Sequence, residues 1–95
     1  MSPAIETEVS QLYSAVTELA SGFGRISERL GDAYFLHLTD VDLSRVSHGA
    51  RRECGRLLVD LRVIFRQVGA QSSIDEARSV ELARRIVRLY DDLIR

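Results

Sequence analysis

The sequence predicts an all-α fold: a small antiparallel three-helix bundle, two long helices plus one shorter, open to completion by dimerisation. Three observations point there. A heptad of apolar residues runs through the first third of the chain, a helix-period apolar stripe fills the middle, and the C-terminal stretch divides into an apolar and a charged half. Nowhere do apolar and polar residues alternate long enough to suggest a strand.

The first helix is expected over residues 3–30. Ser2 can cap it and Pro3 is tolerated at the first helical position. Glu6 and Glu8 add negative charge near the positive end of the helix dipole. Ile5, Val9, Leu12, Val16, Leu19, Phe23, Ile26 and Leu30 then follow at spacings that alternate four and three, a heptad seam, before Gly31 supplies a stop. Gly22 and Gly24 weigh against continuity, each costing about 1 kcal/mol relative to Ala inside a helix. The unbroken seam weighs for it, and a continuous helix is the expectation. Ala15, Ala20 and Gly22 flank the seam and admit a close neighbour. Val9, Leu12, Val16, Leu19 and Phe23 are therefore the expected self-association face.

Residues 32–38 are too apolar for a solvated loop, and a packed connection over the core is expected there. The second helix is expected over 40–68. Thr39 can cap it, Asp42 approximates a capping box, and Leu38 and Leu43 stand at the positions of a hydrophobic staple. Its core stripe is Leu43, Val46, Ala50, Cys54, Leu57, Leu61, Ile64 and Val68, and Gly69 ends it. Ser73 and Glu76 offer a second capping box for the third helix, 74–94. There Val80, Leu82, Ala83, Ile86, Val87, Leu89, Tyr90, Leu93 and Ile94 form one half of the cylinder, and Glu81, Arg84, Arg85, Arg88, Asp91, Asp92 and Arg95 the other. An apolar arc that wide suits a helix lying in the groove between two others.

Ninety-five residues, 45% hydrophobic and 28% charged, make one globular domain with a modest core. The N-terminal residues lack the pattern of a signal peptide, no apolar run is long enough to cross a bilayer, and Cys54 has no second cysteine. A cytoplasmic location without membrane contact is the expectation. All 13 basic residues are arginine, as the codons of a GC-rich genome favour.

Charge is distributed unevenly. Residues 1–43 sum to −5, residues 44–69 to +4, and the remainder to zero, within a net charge of −1. The second helix interleaves Arg45, Arg52, Arg56 and Arg66 with Val41, Val59 and Val63 on the side away from its core stripe. Arginine mixed with apolar residues on an outward face suits a protein contact. The expected partner-binding residues are Arg45, Arg52, Arg56, Val59, Val63 and Arg66.

Candidate chemistry is sparse. His48, with Arg51 three positions on, is a loose match to a phosphotransfer site, but lacks the glycines such a motif carries. His37, His48 and Cys54 have no metal-ligand spacing, and Cys54 falls on the apolar stripe as a buried thiol. Asp40/Asp42 and Asp91/Asp92 read as capping and salt-bridging groups. No catalytic residue, cofactor or metal is expected. The function expected is a non-enzymatic helical protein–protein interaction module, an adaptor, regulator or accessory subunit with an unidentified protein partner, which also self-associates as a homo-oligomer. The alternative is a nucleic-acid-binding subunit using the arginine face.

Overall fold

Four α-helices appear in the computed structural model, which describes the backbone of residues 3–68 and 75–95 and the side chains of 8–66 and 75–95. They are α1 (Pro3–Ser21), α2 (Ile26–Ala33), α3 (His48–Val68) and α4 (Glu76–Ile94). A π-helical turn, Tyr34–Leu38, continues α2, and a 3₁₀ turn, Leu43–Arg45, precedes α3. The described residues contain no strand. The expected all-α class holds, but the bundle has four helices where three were expected.

The extra helix arises because the expected first helix breaks at Gly22-Phe23-Gly24. Gly24 adopts φ of +90°, a left-handed conformation that other residues enter at a cost. Arg25 then takes extended geometry, and its N–H donates to Glu28 Oε1 at 3.0 Å, which opens α2. Arg29 reaches back from α2 to donate to the Leu19 carbonyl at 2.7 Å, satisfying an acceptor that the end of α1 would otherwise leave open. Leu12, Leu19 and Leu30 of the seam are all buried, and Ile26 is partly so. Phe23 breaks the pattern, standing 94% exposed in the loop.

The start of α3 also differs from expectation. Thr39 caps no α-helix. Instead the Asp42 carboxylate accepts from the Ser44 N–H at 3.0 Å and its hydroxyl at 2.7 Å, which favours a tight 3₁₀ turn over a longer helix. These hydrogen bonds, side chain before backbone, hold the Asp42 carboxyl below its ordinary pKa, with some help from the charge of Arg45. Val41 packs against the core from this connection and does not lie on the outer face of α3. Further on, Asp75 is the N-cap of α4, its side chain accepting from the Ala77 N–H. The expected cap at Ser73 and the stop at Gly69 lie outside the described residues.

The apolar half-cylinder of the last helix is met in part, with Leu82, Ala83, Ile86 and Leu89 buried but Val87 and Ile94 exposed. α4 packs against α1, α2 and α3 alike. Leu82, Ile86 and Leu89 are buried there together with Leu12, Ala15, Leu30, Leu57 and Leu61 in a single core. The packed connection closes one end of it. Tyr34 stacks on Phe65 with ring centroids 5.4 Å apart, and Phe35 meets Phe65 edge-on at the same separation. Gly31 lies under this cluster, where a Cβ would meet the Phe65 ring at 3.5 Å.

Candidate functional site

The outward face of α3 carries the residues the charge pattern singled out. Arg52, Arg56, Val59, Val63 and Arg66 are all exposed, and their spacings are four, three, four and three. That is a heptad repeat on the side of α3 opposite its own buried stripe of Cys54, Leu57, Leu61 and Phe65. Val59 and Val63 are 55% and 48% exposed, so two apolar side chains stand in water between guanidinium groups. A shallow depression of about 450 Å³ lies on the N-terminal half of this face, lined by Leu43, Arg51, Arg52, Gly55, Arg56, Val59 and Asp60.

Arg85 of α4 determines the electrostatics of the face. It donates to Asp60 at 2.8 Å and to Glu53 at 3.3 Å, so the only two acids of α3 are both engaged from α4. Burial alone would lower the Arg85 pKa, but the hydrogen bonds to Asp60 and Glu53, and then their charges, outweigh it and hold the group above its ordinary value. Among the described residues no carboxylate pairs with Arg52, Arg56, Arg62 or Arg66. Arg51 instead donates to the carbonyls of Ser44 and Val46, tying α3 to the preceding turn.

Arg45 does not belong to this face. It lies in the 3₁₀ turn, outside α3, with its Nε 3.6 Å from the Asp42 carboxylate. Its inclusion followed from starting the helix at residue 40. The expected self-association residues are also dispersed. Leu12 and Leu19 are buried in the chain's own core, Val9 and Val16 are partly buried, and Phe23 is in the α1–α2 loop. Packing within the chain covers the centre of that seam and leaves its edge. Beside that edge Tyr13 meets Tyr90 at 5.9 Å, with Val87 and Ile94 exposed further along α4.

Two groups were misjudged from sequence. Glu8, read as a dipole-compensating charge, is buried, and its Oε1 has no hydrogen-bond partner among the described residues. Its distance of four residues from Leu12 and seven from Ala15 was the available signal, since that spacing puts it on the core face. Arg85 was placed in the charged half of the last helix, and no local pattern there distinguishes it from Arg84 or Arg88 as the residue that reaches α3. Cys54 is a buried free thiol as expected. Burial first, then the negative charges of Glu53 and Glu8, push its pKa up to about 11, which suppresses thiolate reactivity. His48 is exposed at the start of α3, and His37 is half-covered, with Nε2 3.5 Å from Glu18.

A second groove, of about 740 Å³, follows α4 beside α3. Arg84, Arg85 and Arg88 line it together with Glu53, Glu81 and Asp92, so its formal charges balance. Among the described residues, no three His, Cys, Asp or Glu side chains gather as a metal set, and no helix is long and apolar enough to cross a membrane.

Fold and face together describe a four-helix domain with a basic, apolar-centred seam on one outer helix. Compared with protein-family models, curated proteins and solved structures, the chain shows no significant match to any of them.

Proposed function

We propose that this chain is a non-enzymatic helical protein–protein interaction module that self-associates and whose contact face is the outer seam of α3. The observation that carries this reading is the heptad spacing of Arg52, Arg56, Val59, Val63 and Arg66 on the exposed side of a helix whose own acids are engaged by Arg85. A heptad seam presents knobs and holes to another helix. Valine at its centre offers the desolvated contact and arginine at its border the charge that selects an acidic partner. The partner class is therefore an acid-bearing amphipathic helix.

Fluorescence anisotropy with a labelled acidic amphipathic peptide, its glutamates flanking leucines at heptad spacing, tests this. Binding at low salt is expected, weakened by Arg56→Glu and separately by Val63→Ser. No binding, or binding that neither substitution alters, overturns the reading. The arginines also motivate the nucleic-acid alternative, which the same assay addresses with a labelled oligonucleotide. Oligonucleotide binding with a steep salt dependence and no sensitivity to Val63→Ser would favour it.

A further inference from the structure

We infer that the helix received by the α3 seam is α2, with its π-helical turn, from a second copy of this chain. The inference rests on reading the α3 seam as a helix-binding face, and it names the occupant.

The seam itself limits the choice. Pairing α3 with α3 of another copy would set Arg52, Arg56 and Arg66 against each other, so the occupant has to bring carboxylates. Among the described residues, the exposed side of α1 carries Ser10, Tyr13, Thr17, Ala20 and Ser21, and its Glu18 is half-covered with His37 3.5 Å away. The exposed charges of α4 are of both signs, with Arg84 and Arg88 between Glu81 and Asp92. α2 differs. Glu28, Asp32 and Leu36 recur every four residues and are all exposed. Leu36 is 64% exposed and Phe35 beside it 45%, an unusual pair to leave in water on so short an element. The wider π turn keeps Leu36 close to the line of Asp32. Asp32 makes no ion pair among the described residues, and the basic Arg29 of α2 is turned inward onto the Leu19 carbonyl.

The two faces thus match in kind, carboxylates and exposed apolar groups on one, guanidinium groups and exposed valines on the other. From Arg52 to Arg66 is about 21 Å of helix, long enough to receive the about 12 Å from Glu28 to Leu36. A twofold axis that sets α2 on the partner's α3 sets α3 on the partner's α2 as well, so an isologous pairing of the two faces closes at two copies.

Sedimentation velocity on the full chain, with circular dichroism as a control for folding, tests the pairing by charge exchange. At about 100 μM and low salt the chain is expected to be a dimer, weakened at least about tenfold when salt is raised to about 0.5 M. Arg56→Glu and Asp32→Arg alone should each yield monomer. An equimolar mixture of the two variants should recover a heterodimer, because reversed charges meet at one contact and native charges at the other. A monomeric wild type overturns the inference, as does a dimer that neither variant weakens or a mixture that stays monomeric. If the wild type is monomeric yet binds the acidic peptide through Arg56, the reading of α3 stands and this occupant falls. If the peptide is not bound either, both fall.

Discussion

Arg85→Gln tests the electrostatic argument where it is most exposed to failure. The substitution removes one cation that lies 2.8 Å from the Asp60 carboxylate and 3.3 Å from that of Glu53. The Arg85 side chain is 23% exposed, while the two acids are 39% and 52% exposed. At an effective dielectric of about 20 and a charge separation of about 4 Å, each pair is worth about 4 kcal/mol before desolvation. Desolvation of the guanidinium and the open setting of the acids cancel most of that, leaving a net loss of about 1–2 kcal/mol, chiefly from Asp60. For a domain this small, that corresponds to about 5–10 °C in Tm. Urea denaturation of the wild type, Arg85→Gln, Asp60→Asn and the double variant isolates the pair. A coupling of about 1 kcal/mol is expected at low salt, reduced to about half in 1 M NaCl. Arg85→Gln should also weaken the acidic peptide, although Arg85 is not on the α3 seam, because Glu53 and Asp60 are then left to offset its arginines. A coupling below about 0.3 kcal/mol, or one insensitive to salt, would refute the argument that Arg85 neutralises these acids.

Three further outcomes follow from the fold. Gly24→Ala should destabilise by about 1 kcal/mol, since φ is +90° and the new Cβ would lie 2.9 Å from Glu28 Oε1; in a continuous helix the same change would stabilise by about as much, so thermal melts decide between the two. Leu61→Ala, at a fully buried position, should cost about 3 kcal/mol in urea, and a loss under about 1 kcal/mol would mean that the core is placed wrongly. Cys54 retains its proton in the fold up to about pH 11 and loses it from about pH 9 once unfolded, so its contribution is intact below pH 9 and disappears as pH rises through that window. The decline should approach about 2–3 kcal/mol and be absent in Cys54→Ala, and an equal decline in both proteins would contradict the assignment.

Much of the core was legible residue by residue. Leu12, Leu19, Leu30, Cys54, Leu57, Leu61, Leu82 and Ile86 all fall on predicted apolar faces and all are buried. The α3 seam was legible for the same reason, since Arg52, Arg56, Val59, Val63 and Arg66 share the side opposite that stripe. Arg45 was misplaced with them because its face depends on where the helix starts. There the local signal at Thr39 and Asp42 was consistent with two outcomes, and the short hydrogen bonds from Ser44 to Asp42 accompany the tighter one.

The heptad from Val9 to Leu30 shows where such reading ends. Periodicity records which side chains avoid water, and that is a property of neighbours along the chain. It is indifferent to whether the chain runs straight or folds back, because Leu19 and Leu30 can share a core either way. The turn at Gly22-Phe23-Gly24 depends on the Arg29 guanidinium reaching the Leu19 carbonyl and on α2 packing against the distant α4. The charge of the α3 face depends on another contact between helices, Arg85 with Asp60. The sequence by itself determined most of the inward-facing set, with Glu8 and Phe23 as exceptions; tertiary structure decided where the chain reverses and which charges remain for a partner, since both depend on free energies shared between distant segments.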